Sequence, residues 1–106
     1  MSHYNQNIQN ALASLEGAYA PNTLRSYYSD VRSFVDWCIK RNIKPFPLSS
    51  SNLSSYIELM QIKYSYSTIR RRISALRRIN KLLGFEDDTH TEEVYLTIRR
   101  AKRSKC

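Results

Sequence analysis

The chain has 106 residues, with 17 Lys+Arg against 9 Asp+Glu and a formal net charge of +8 at pH 7. That length holds one small domain, able to bury about 65% of the surface its unfolded chain exposes, so a modest core needs no disulfide or metal staple. Only two Gly and three Pro are present, which excludes a turn-rich β-sandwich or barrel. Two cysteines, Cys38 and Cys106, cannot frame a small secreted domain; Cys38 reads as a buried small hydrophobe and Cys106 as an exposed chain end. No apolar run follows Met1 and none approaches the ~20 residues of a membrane span, so a cytoplasmic, reduced protein without membrane contact is expected. No paired Cys or His has ligand spacing, so neither a metal nor another cofactor is expected.

Apolar spacing predicts an all-α fold, a single bundle of four to five helices, with no period-two run long enough for a strand. Ile8, Ala11, Leu12 and Leu15 mark a short first helix over about Asn5 to Leu15, stopped by Gly17. Pro21 opens the strongest helix, Asn22 to about Arg41, whose stripe is Leu24, Tyr27, Tyr28, Val31, Phe34, Val35 and Cys38. Arg25, Ser29, Arg32, Asp36 and Lys40 lie opposite that stripe, and Trp37 falls on its edge. The segment Asn42 to Pro47 is a connector, because its two prolines cannot continue a helix. Ser49, Ser50 or Ser51 can cap a third helix through about Lys63, with Leu53, Tyr56, Ile57 and Met60 buried. After a break at Tyr64–Tyr66, Ser65 or Ser67 caps a fourth, about Ser67 to Leu83, with Ile69, Ile73, Leu76, Ile79 and Leu83 inward and Gly84 as its stop. Thr89 and Glu92 have capping-box spacing for a last helix, about His90 to Arg103, burying Val94, Tyr95 and Ile98.

The basic charge is uneven. Residues 1–53 carry five Lys/Arg and three Asp/Glu, whereas residues 54–106 carry twelve and six. No acid lies between Leu59 and Phe85, a stretch holding Lys63, Arg70, Arg71, Arg72, Arg77, Arg78 and Lys81. A solvated surface usually mixes signs, so this asymmetry points to a polyanion, nucleic acid first. With Ile69 at zero on a helical wheel, Arg70, Ser74, Arg77 and Lys81 fall between about 80° and 140°, and Arg71 and Arg78 extend that arc to about 200°. Five cations thus share a solvent-facing arc, and no acid within four residues can pair with them. Arg72, at about 300°, sits beside the core and can snorkel or meet a distant acid. Tyr66, Ser67 and Thr68 bring hydroxyls and free N–H groups to the helix start, a good phosphate site. Asn22, Thr23, Arg25, Ser29 and Arg32 form a second, weaker basic face. The closing run Arg99, Arg100, Lys102, Arg103 and Lys105 reads as a frayed terminus with diffuse attraction.

The run Thr23-x3-Tyr27-x2-Asp30-x3-Phe34-x2-Trp37-Cys38 resembles the first helix of the core-binding (N-terminal SAM-like) domain of tyrosine recombinases, the phage-type integrases. Pro47-Leu48, Tyr56-Ile57, Ser67-Thr68-Ile69-x3-Ile73-Ser74-Ala75-Leu76, Gly84 and Ile98-Arg99-Arg100 are similar to that domain's later elements. The resemblance covers Pro21 to Arg103. It implies a helical bundle forming half of a C-shaped clamp on duplex DNA, with Asn22–Arg41 and Ser67–Leu83 crossing the major groove and a separate domain performing DNA integration or excision. The expected DNA-binding set is then Asn22, Thr23, Arg25, Ser29 and Arg32 with Tyr66, Ser67, Thr68, Arg70, Arg71, Ser74, Arg77, Arg78 and Lys81. Its partners would be duplex DNA and other recombinase protomers on that DNA, the free chain being monomeric.

On this reading residues 1–20 are an N-terminal extension, 21–103 the DNA-binding domain, and 104–106 a tail toward a catalytic domain that is absent. His3 is followed at the third position by Gln6 and His90 by Glu93, so the family's His-x-x-Arg motif is missing. No arginine–histidine constellation activates any of the eight tyrosines, and no catalytic residue is expected. The alternative is a stand-alone helical DNA-binding transcriptional regulator, weakened by the lack of a compact helix–turn–helix signature.

Overall fold

The computed structural model describes residues 6–104, which form five helices and no named strand: α1 (Gln6–Ala13), α2 (Pro21–Lys40), α3 (Ser50–Lys63), α4 (Tyr66–Leu82) and α5 (Glu92–Ser104). The expected all-α bundle is what forms. His3, Asn5, Lys105 and Cys106 lie outside the described residues. Within them, no helix is long and apolar enough to cross a membrane.

The predicted stripes meet in one core. Ile8, Leu12 and Leu15 enter it from α1 and its end; Val31, Phe34, Val35 and Cys38 come from α2, Leu53, Ile57 and Met60 from α3, and Ile69, Ile73, Leu76 and Ile79 from α4. At its centre the Phe34 ring stands edge-on to Tyr56 at 5.1 Å and to Phe46 at 6.0 Å, and stacks on Trp37 at 6.0 Å. Trp37 is therefore half-buried by contact with α3, where it also meets Tyr56 at 5.2 Å. The connector contributes more than a link: Phe46 and Leu48 are both buried. Tyr28, expected in the α2 stripe, is exposed, because the stripe narrows where only the short α1 covers it.

Helix ends follow local chemistry. Ser49 caps α3 by accepting from the Asn52 N–H at 3.1 Å, and Ser65, not Ser67, caps α4 by accepting from the Thr68 N–H at 3.3 Å. Asn42 (φ 58°) and Gly84 (φ 91°) end α2 and α4 in paired Schellman motifs. In the first, the Ile43 and Asn42 N–H groups donate to Cys38 and Ile39 carbonyls; in the second, Phe85 and Gly84 donate to Asn80 and Lys81. Asn80 is fully buried in α4; its side chain accepts from the Leu48 N–H at 3.0 Å and donates to the Glu86 carbonyl at 3.2 Å, fastening two loops to one helix.

The last helix corrects two expectations. Its cap is Thr91, whose hydroxyl accepts from the Val94 N–H, because Thr89 is buried and engaged elsewhere. Its buried residues are Val94, Thr97 and Ala101; Tyr95 is exposed, since α5 packs mainly along α3 and presents a different sector than the apolar spacing implied. Glu92 and Glu93 in its first turn and Lys102 and Arg103 in its last suit the helix dipole. The closing basic run is consequently an ordered helix through Ser104 and not a frayed end.

Candidate nucleic-acid interface

Helices α2 and α4 pack side by side, and their joint is ionic. Asp30 lies in the α2 stripe and is buried, 1% exposed. Its two carboxylate oxygens accept from Arg71 Nε at 3.1 Å and Nη2 at 3.0 Å, a bidentate pair. Arg72 Nε lies 3.3 Å from the same carboxylate, in ion-pair range but not aligned as a hydrogen bond. Arg72 also donates to the Tyr56 hydroxyl at 3.3 Å and covers the Tyr64 ring at 4.3 Å. The hydrogen bond to Asp30 raises the Arg71 pKa above its ordinary value. The signal for this joint was a carboxylate inside an apolar stripe, one helical turn before Phe34.

Arg77 is likewise committed inward. Its Nε donates to the Thr89 hydroxyl at 2.9 Å and its Nη2 to the Thr89 carbonyl at 3.1 Å, with Asp87 at 3.6 Å. Only 23% of its side chain is exposed, and burial pushes its pKa down, against the opposing pull of Asp87. The expectation that Arg77 is solvent-facing is therefore wrong: the loop after α4 folds back over it. Neither partner of Arg71 nor that of Arg77 lies within four residues, so a single-helix wheel could not find them.

The remaining cations of α4 keep their charge outward. Arg70, Arg78 and Lys81 are exposed, with Ser67 and Ser74 on the same helix. Arg70 is steadied by the Tyr66 hydroxyl at 3.0 Å and Arg78 by the Tyr19 hydroxyl at 2.6 Å. Both partners are hydroxyls, which orient the guanidinium without an ion pair; the hydrogen bond Arg78 donates to Tyr19 raises the Arg78 pKa. Tyr66 and Thr68 are half-buried at the helix start. On α2, Asn22, Thr23, Arg25, Ser29 and Arg32 are all exposed, and Arg25 donates to the Asn22 side chain at 2.8 Å. Ser29 and Arg32 line a cleft of about 650 Å³ against α1, so this part of the set opens toward α1.

A second cleft, about 550 Å³, runs between α4 and α5. Arg99 and Lys102 of α5 line it together with Arg70, Arg77, Tyr66 and Tyr95. Spacing alone makes these α5 cations a diffuse tail; helical order through Ser104 is what sets them beside α4. Among the described residues, no group of three or more His, Cys, Asp or Glu is placed to hold a metal ion.

Residues 10–84 match the phage integrase N-terminal SAM-like domain family, and the chain belongs to it: a helical domain of the tyrosine recombinase class, whose role is in recombination. It is 31% identical over 71 residues, 67% of its length, to an integrase/recombinase xerD homolog of Selenomonas ruminantium. It is 32% identical over 71 residues, 66% of its length, to the tyrosine recombinase XerD of Chlorobaculum tepidum. The chain spans 21% and 23% of those two proteins.

Proposed function

We propose that this chain grips duplex DNA through the outer faces of α2 and α4, as the DNA-binding part of a site-specific tyrosine recombinase acting in the cytoplasm. Strand cleavage and joining then belong to a separate catalytic domain, and other recombinase protomers share the DNA. The observation that carries this reading is the division of labour on α4. Asp30 and Asp87 neutralise Arg71 and Arg77 from within, while Arg70, Arg78 and Lys81 retain outward charge. A helix whose opposite side is packed into a core holds such charges in register with phosphates and base edges. Ser67, Thr68 and Tyr66 add donors at its start, and Asn22, Thr23, Arg25, Ser29 and Arg32 widen the contact from α2. Arg71, half exposed beyond its pair with Asp30, joins the two helices, and Ser74 adds a hydroxyl beside Arg78 and Lys81.

Anisotropy of a labelled duplex titrated at several salt concentrations tests this. About six phosphate contacts give a log–log slope near −5, from ~0.9 per phosphate neutralised. Removing Arg70 and Lys81 together should bring the slope to between about −3 and −4 with the fold intact. Binding that is absent, indifferent to salt or unchanged in the double variant refutes the proposal.

A further inference from the structure

Where the C-terminal half of α2 meets the end of α3 and the start of α4, Trp37, Leu59, Met60, Ile62 and Tyr64 line a pocket of about 350 Å³. Ile62 is 81% exposed and Leu59 44%, a large apolar area to leave in water on a small domain. The pocket is also positive. Lys63 stands at its rim and Arg72 in its wall. One Asp30 carboxylate serves both Arg71 and Arg72, which leaves that cluster with a surplus cation. In the same wall the Trp37 indole N–H is buried with no acceptor among the described residues. Such a pocket suits an apolar side chain flanked by carboxylates and carbonyls.

The chain itself carries that complement. Phe85, 38% exposed, is followed by Glu86, Asp87 and Asp88, three consecutive acids in a chain of net charge +8. The loop bearing them is pinned through its backbone. The Asn80 side chain donates to the Glu86 carbonyl at 3.2 Å, the Ser50 hydroxyl donates to the Asp88 carbonyl at 2.9 Å, and Asp87 is held by Thr89, Arg77 and His90. The exposed side chains of Phe85, Glu86 and Asp88 are thus presented from a fixed frame, which lowers the ordering cost of binding.

We propose that Phe85 of one copy of this chain, flanked by Glu86 and Asp88, seats in the Trp37–Ile62 pocket of a second copy. The two patches cannot meet within one molecule. The pocket adjoins the start of α4 and the acidic loop follows its end, a helix length of about 25 Å apart. Plug and pocket are different surfaces, so each copy can give one such contact and receive another. Overall repulsion between +8 chains keeps it weak, so the dilute chain is monomeric. This inference does not depend on the DNA-binding proposal, since it concerns the chain alone in solution.

Trp37 is the one tryptophan in the sequence, so its emission reports on this pocket. Sedimentation velocity over about 10–500 μM, the range of weak transient contacts, should show mass rising above the 12.5 kDa monomer, with a parallel blue shift of Trp37 emission. Phe85→Ala removes the plug and Ile62→Glu charges the pocket against it; both sites are exposed, so helicity by circular dichroism should hold. Each variant alone should stay monomeric. Mixed, they should form a one-to-one dimer that grows no further, because one retains the pocket and the other the plug. A wild-type chain that stays monomeric throughout overturns the proposal. So does association without a Trp37 shift, association that survives either substitution, or a mixture that does not pair.

Discussion

Truncating Arg77 to Ala should destabilise the domain by about 2–3 kcal/mol, although the residue lies on a basic face of a surface helix. The guanidinium makes two hydrogen bonds to Thr89, at 2.9 and 3.1 Å, and faces Asp87 at 3.6 Å. Thr89 is fully buried, so its carbonyl would lose a charged donor where water has little access. Hydrogen bonds to charged groups contribute roughly 1.5–3 kcal/mol each, but two bonds to one residue are not additive. Asp87 would keep the Thr89 and His90 donors, which limits the loss to about the value of the stronger bond. At ~4–8 °C per kcal/mol for a domain of this size, the melting temperature should fall by roughly 10–20 °C. Urea and thermal melts followed by circular dichroism measure it, with Lys81→Ala as the exposed control, expected within about 0.5 kcal/mol of wild type. Arg77→Lys keeps the charge without the two-pronged reach and should recover less than half of the loss. If Arg77→Ala melts with the control, Thr89 does not hold this side chain and the residue belongs to solvent after all.

Asp87 should give the domain an acid-sensitive component. Burial pushes its carboxyl up, but the Thr89 hydroxyl and N–H, with Arg77 and His90, outweigh that and hold it below the ordinary value of 3.8. Its stabilisation is therefore complete above the unfolded-state pKa and is lost as pH falls through the lower native one. Wild type and Asp87→Asn should differ in urea stability at about pH 6 and converge toward about pH 2; a gap independent of pH contradicts this. Burial also pushes the Cys38 thiol up to about 12, and the side chain is inaccessible. In a Cys106→Ser background, Cys38 should react with a thiol reagent orders of magnitude more slowly in the native protein than in denaturant, and rapid native labelling would contradict its burial.

Particular residues show where reading the sequence succeeds and stops. The α4 core positions Ile69, Ile73, Leu76 and Ile79 are all buried, because a three-four repeat reports how one helix meets any core. The same wheel places Arg70 and Arg77 side by side, yet one is exposed and the other is folded under a loop. That difference depends on Thr89, twelve residues on, and on the path the chain takes after Gly84. Thr89 and Thr91 compete for the cap of α5, and local spacing favours the wrong one because it does not register the demand of Arg77 for Thr89. Tyr95 and Thr97 exchange inside and outside for a similar reason: the identity of the packing neighbour, α3, sets which sector is covered. The prolines of the 42–47 connector mark a break truthfully but hide that Phe46 fills the core beside Phe34.

The shared carboxylate of Asp30 has a consequence for the order of assembly. Residues 30 and 71 are 41 positions apart, so a partly folded chain can hold the aspartate of α2 without its arginines. Burying it against the α1 and α3 side chains without them costs about 3–5 kcal/mol, the penalty for half of a buried ion pair. That suppresses such an intermediate by about two to four orders of magnitude. The long apolar stripe of α2, which by hydrophobicity alone would collapse early onto whatever is nearest, is held out of a premature core by one charge. Burial of this face of α2 is thereby coupled energetically to the docking of α4.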